Sequence, residues 1–101
     1  ICGRDEARLH DAAKESGAFP VQGDVSNEQD VKRMVDAVIK QFGDYNVLIN
    51  NAAYGYFSLL TDLSTQQFNE LLSTNVIGAM MAGRESARYF VSKNYGNIVN
   101  I

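Results

Sequence analysis

Two adjacent amides, Asn50 and Asn51, close the apolar run Val47-Leu48-Ile49 and open onto the small residues Ala52 and Ala53. An amide withdrawn from water needs hydrogen-bond partners or costs roughly 1–3 kcal/mol, so two in a row at the end of such a run point to polar work. A third amide, Asn75, stands four residues after Leu71 and three after Leu72, inside an apolar helical stripe. It lowers helix propensity there and needs partners of its own. Such a residue can cap a neighbouring backbone group or belong to a functional site, and spacing alone leaves both open. Tyr54, Tyr56 and Phe57 follow the amide pair closely enough to line a substrate mouth, or to pack within their own loop. His10, on a charged helix face, reads as solvated, and no Cys/His cluster has metal-ligand spacing.

The bulk properties narrow the chemistry further. At 101 residues and 46% hydrophobic the chain has the makings of one domain at most. A net charge of −3 and a pI near 4.9 offer no basic patch to displace counterions, which argues against a nucleic-acid partner. The lone Cys2 excludes an internal disulfide and fits a reducing compartment. No apolar run approaches the ~20 residues of a membrane span, and no signal-peptide pattern is present. The expected setting is cytoplasmic, with no membrane partner.

The elements that must position the amides follow from periodicity. Asp5 can cap a helix with Leu9, Ala12 and Ala13 inward and Gly17 as its stop. Residues 18–22 read as a strand, and Pro20, which lacks a ladder donor, places it at a sheet edge. Ser26 with Gln29 has capping-box spacing ahead of a helix whose stripe is Val31, Met34, Val35, Val38, Ile39 and Phe42. Gly43 ends it. The run Val47–Asn50 suits a strand buried on both faces, and the carboxyl ends of such strands are where open α/β sheets bind ligands. Ser64 with Gln67 repeats the capping box, and one long helix is expected from Thr65 to about Ser92, with Phe68, Leu71, Leu72, Asn75, Val76, Ala79, Met80 and Gly83 on its inward stripe. Between Val76 and Gly83 no residue is charged, so this stretch should be buried all round, against the sheet and a partner subunit. Alternating strands and helices imply a parallel sheet with right-handed crossovers. Both ends, Ile1–Arg4 and Asn97–Ile101, read as strands cut mid-sheet, as in an internal piece of a longer protein.

The ordered segments Gly3-Arg4, Gly23-Asp24-Val25-Ser26, Val47-Leu48-Ile49-Asn50-Asn51-Ala52-Ala53, Thr74-Asn75-Val76 and Gly96-Asn97-Ile98-Val99-Asn100-Ile101 together resemble the short-chain dehydrogenase/reductase family. The resemblance implies an α/β, Rossmann-type doubly wound parallel sheet, incomplete, with equivalents of strands 2 to 5 and their intervening helices. Residues 1–101 would be a partial NAD(P)-binding domain. In the strand order 3-2-1-4-5 the absent first strand leaves a gap of ~9–10 Å between its neighbours. The implied activity is hydride transfer between a nicotinamide and a carbonyl or secondary alcohol, carried out by a homo-oligomer that associates through helix 65–92. A non-catalytic Rossmann-type scaffold is the alternative. Another doubly wound fold leaves Asn50, Asn51 and Asn75 without a purpose.

Residue by residue, Asn51 and Ala52 match the cofactor side of the family's Asn-Asn-Ala-Gly motif, with Ala53 replacing the glycine. Asp24 and Val25 match the pair that brackets the adenine ring, and Asn75 matches the catalytic asparagine that holds a water in the proton relay. Where an acid would select NAD(H), this chain has Gly3 followed by Arg4, suited to a 2′-phosphate, so NADP(H) is favoured over NAD(H). Tyr89 and Lys93 spell the family's Tyr-x-x-x-Lys signature, but before the last strand rather than after it, so the pair is not expected to be catalytic. The family's glycine-rich loop and catalytic serine match nothing in residues 1–101.

Overall fold

A computed structural model describes residues 1–101. In chain order it contains β1 (Cys2–Gly3), α1 (Glu6–Ser16), β2 (Val21–Gln22), α2 (Glu28–Phe42) and β3 (Val47–Asn50). Then come α3 (Thr65–Leu72), a π-helical segment (Ser73–Gly78), α4 (Ala79–Lys93) and β4 (Asn97–Asn100). β1 pairs with β2 and β3 with β4, both in parallel, and the two sheets share no ladder. This is the pairing expected of a 3-2-1-4-5 order without its central strand.

The helices lie on both faces. A Cβ on Gly3 would approach Leu9 of α1 at 3.7 Å, whereas Val21, in the other strand, joins Val31 and Met34 of α2 and Met81 of α4 in the core. α1 starts as expected, with the Asp5 side chain accepting from Arg8 N–H, and ends at Gly17 with φ 70°. Leu9 and Ala13 are buried, but Ala12 is exposed.

The start of α2 corrects an expectation. Asn27, not Ser26, caps it, accepting from the N–H groups of Gln29 and Asp30. Ser26 is engaged elsewhere: its N–H and hydroxyl both donate to Asp24 Oδ1, at 2.9 and 2.7 Å. Pro20 falls just outside the ladder, which spans Val21–Gln22 rather than residues 18–22. In α2 the stripe runs inward from Val31 and Met34 as far as Ile39, but Phe42 is exposed.

β3 is not buried on both faces. Leu48 and Asn50 turn towards α4 and are half-buried, while Val47 and Ile49 point the other way and are 50% and 62% exposed. Nothing in this chain covers that second face.

The long helix is interrupted. The Ser64–Gln67 capping box is present, and helical structure continues to Lys93, but Ser73–Gly78 winds as a π-helix. A π-turn inserts about one extra residue, which rotates everything downstream by roughly 100°. The buried face of α4 therefore runs through Met81, Ser86 and Phe90, not through Met80 and Gly83. Val76, Ile77 and Met80 remain exposed, so the uncharged stretch is not buried all round; of the expected stripe, Leu71 and Ala79 are half-buried and Phe68 and Leu72 exposed.

After α4 the chain turns through Gly96, at φ 152°. A Cβ there would lie 2.2 Å from Cγ of the buried Phe90 ring. In the intact protein Gly96→Ala is expected to lower stability by on the order of 3 kcal/mol, read as a fall in the urea midpoint. An unchanged midpoint would contradict the packing described.

Candidate functional site

The strand tips β3 and β4 end side by side, with Asn50 opposite Asn100 in the ladder. Asn50 Nδ2 donates to Asn100 Oδ1 at 2.9 Å and to the Ala79 carbonyl at 3.2 Å. The first amide of the pair thus ties both strands to the start of α4. Asn51, Ala52 and Ala53 follow in an extended loop. Ala53 takes no positive φ, so its replacement of glycine carries no backbone strain.

Asn75 is pinned across the chain. Its Nδ2 donates to the Tyr54 carbonyl at 2.8 Å and its Oδ1 accepts from the Tyr54 N–H at 3.1 Å. This is the geometry of a backbone clamp, the first of the two uses open to a stripe asparagine. It also holds the loop that continues from Asn51. Asn75 lies within the π-helical segment Ser73–Gly78. One Nδ2 hydrogen of Asn75 remains for another partner.

A cleft of about 450 Å³ opens between these parts, and Val25, Asn51, Ala52 and Asn75 all line it, together with Asn50 and Asn100. Val25 is seated by Gly78, where a Cβ would come within 3.0 Å of both its side chain and its carbonyl oxygen. A second, polar cavity is lined by Arg4, Ser26, Tyr54, Glu70 and Thr74. The two cavities are bordered by consecutive residues (Val25 and Ser26, Ala53 and Tyr54, Asn75 and Thr74), so they adjoin, and together they make the trough that reaches from Asn100 towards Arg4. At its far end Arg4 Nη1 lies 3.8 Å from Asp24 Oδ2, and Arg4 is two-thirds exposed. Asp24 lines neither cavity, although its carboxylate orders Ser26 on the wall. Tyr54 and Tyr56 meet edge to face at 5.7 Å, Tyr56 donates to Glu70 at 3.2 Å, and Phe57 is fully exposed. Of the three aromatics, only Tyr54 contributes to the trough.

A family model described as short chain dehydrogenase matches residues 1–101. The chain belongs to the short-chain dehydrogenase family. A short chain dehydrogenase from Bacillus anthracis is similar in structure, with a TM-score of 0.93 at 31% identity, covering 99% of this chain and 44% of that one. ElxO with NADP bound is similar at a TM-score of 0.87 and 27% identity, over 99% of this chain and 43% of its own. NAD+-bound xylitol dehydrogenase is similar at 0.85 and 32%, over 98% of this chain and 40% of its own. An uncharacterised oxidoreductase of Staphylococcus epidermidis is 27% identical over 103 residues, all of this chain and 45% of the relative. The chain thus spans about half the length of the curated relatives it matches.

Within this short-chain dehydrogenase the Tyr89–Lys93 pair lies away from the trough. Tyr89 donates to Asp44 Oδ1 at 3.0 Å and stacks on Tyr45 with ring centroids 5.2 Å apart; Lys93 pairs with the same carboxylate. Asp44 precedes β3, so the cluster sits at the amino ends of the strands, opposite Asn50. Asp44 holds the Lys93 ammonium above its usual range, and Lys93 holds the Asp44 carboxyl below its own. The carboxylate's contribution to stability is therefore complete above the unfolded value near 3.8 and fades only as pH falls through the lower folded value. The pair is a structural tie at any pH where oxidoreduction is assayed. Tyr89→Phe in the intact protein should keep turnover within about twofold, and a loss like that of a missing general acid would refute this placement.

Asn100 and the Tyr54 backbone are the site groups that sequence reasoning missed. Both strands end in an apolar run closed by asparagine, and pairing those ends in parallel would have put Asn50 opposite Asn100. Nothing in the sequence marks the Tyr54 backbone.

Proposed function

We propose that the intact protein is an NAD(P)(H)-dependent oxidoreductase that moves a hydride between the nicotinamide and a carbonyl or secondary alcohol, with NADP(H) favoured over NAD(H). The observation that carries this is the trough: a partly apolar cleft edged by Asn50, Asn51, Asn75 and Asn100, adjoined by a polar cavity that Arg4 lines. Its donors and acceptors suit a ribose and an amide, and its cation suits a phosphate. The bound nicotinamide supplies or accepts the hydride. Asn51 and Ala52 receive the nucleotide at the β3 tip, Val25 borders the adenine end, and Asp24 serves that end indirectly, by ordering Ser26 and pairing with Arg4. Arg4 meets the 2′-phosphate, and Asp24, its partner in this structure, is near enough to hold it in place until then. Asn75 acts twice, clamping Tyr54 with its side chain and holding a relay water with its remaining amide hydrogen.

A second copy of the protein is the proposed partner along helix 65–92, where Phe68 and Leu72 are exposed in the single chain and line neither cavity. No helix is long and apolar enough to cross a membrane. A cytoplasmic setting is proposed from the lone cysteine and the acidic composition.

The test is NADPH and NADH oxidation by the intact protein with a panel of aldehydes and ketones. Turnover with any of them supports an enzyme. Cofactor binding without turnover across the panel would favour a non-catalytic scaffold instead. Arg4→Ala is expected to raise KM for NADPH about tenfold and to move KM for NADH less than about twofold. Equal effects on both cofactors would remove Arg4 from the 2′-phosphate.

A further inference from the structure

Asn50 and Asn100 are ladder partners, so their side chains leave the sheet on one face. Asn50 Nδ2 faces the Ala79 carbonyl at 3.2 Å and Asn100 Oδ1 at 2.9 Å. A carbonyl oxygen only accepts, so the Asn50 atom beside Ala79 has to be the nitrogen. The second hydrogen of that nitrogen then needs an acceptor, which sets the Asn100 amide with its oxygen towards Asn50 and its NH2 group away. Both orientations are thus determined by one main-chain carbonyl. The two residues line the same cleft as Asn51, Ala52 and Asn75.

We infer that Asn100 is a positioning residue of the cofactor crevice. It accepts from Asn50 and so holds the tip of β3 in the one orientation that presents Asn51 and Ala52 to the nucleotide. β4 thereby contributes to cofactor affinity through a side chain that need not touch the cofactor. Without the acceptor, one Asn50 hydrogen is unmatched in a cleft closed by ligand, and the amide can turn away from Ala79. The inference rests on the dinucleotide function proposed above.

Because Asn100 acts through Asn50, the two substitutions should not add. In the intact protein, Asn100→Ala is expected to raise the NADPH Kd about tenfold, equivalent to ~1.4 kcal/mol. KM for NADPH should rise with it, while kcat at saturating cofactor stays within about twofold. In an Asn50→Ala background the same substitution should change Kd by less than about twofold. Additive effects would overturn the inference, as would an Asn100→Ala protein that binds like wild type. Should Asn100→Ala not fold, Asn100→Leu goes through the same cycle with the same two outcomes. Failure of the wild-type protein to bind either NADPH or NADH is a separate result, which rejects the dinucleotide function itself.

Discussion

The isolated 101-residue chain is expected to melt without a cooperative transition and to show no micromolar affinity for NADPH. Its surface makes the case. A compact protein of 11.2 kDa exposes about 5,700 Å², whereas this chain exposes 7117 Å². Its radius of gyration is 14.9 Å, where about 12.7 Å is usual for this length. Only 10 of 101 residues are buried, too few to offset the ordering of the rest. Every residue of β4 is exposed, and each sheet has only two strands, a number that is marginal in water by itself. The trough inherits this weakness, because Asn50 and Asn100 stand at the tips of that exposed pair. Differential scanning calorimetry and NADPH fluorescence titration of the isolated chain check the expectation. A sharp calorimetric transition together with micromolar binding would contradict it.

Asn75→Ala in the intact protein is expected to lower kcat about a hundredfold or more, the range of a proton-transfer step losing its relay. Two effects contribute. The substitution removes both bonds to the Tyr54 backbone, which frees the loop leading from Asn51. It also deletes the hydrogen left for a water. Asn75→Asp separates them poorly from the inside: its carboxylate still accepts from the Tyr54 N–H but sets an oxygen against the Tyr54 carbonyl, so it too should lose most activity. The kinetic split is the discriminating measurement. A fall in kcat with little change in KM assigns Asn75 to the relay. A rise in KM at unchanged kcat would leave it only the clamp, and the proposed relay would fail.

Much of the local structure was legible before any coordinates. Asp5 and Gly17 bound α1, Ser64 and Gln67 box the start of α3, and the α2 stripe is buried at Val31 and Met34. These are contacts within a few residues, where side-chain chemistry and helical period decide the outcome. Ser26 shows the limit at close range. Its spacing to Gln29 is right, but Asp24 lies nearer and takes both its N–H and its hydroxyl, so Asn27 inherits the cap. The inward face of α4 shows the limit at longer range. Period counting through Thr65–Ser92 assumes uniform winding, and one π-turn at Ser73–Gly78 moved the buried stripe from Met80 to Met81.

The order of strands and helices, the family, and the amide pair at the end of β3 were determined by the sequence alone, because each depends on residue type and spacing along the chain. Tertiary structure alone decided what the amides do. Asn75 grips the backbone of Tyr54 across 21 residues, and Asn50 reaches Asn100 across 50. Hydrogen bonds over such separations form only after the strands have paired in register and the helix has settled its winding, and neither is written in the local pattern of the residues that make them.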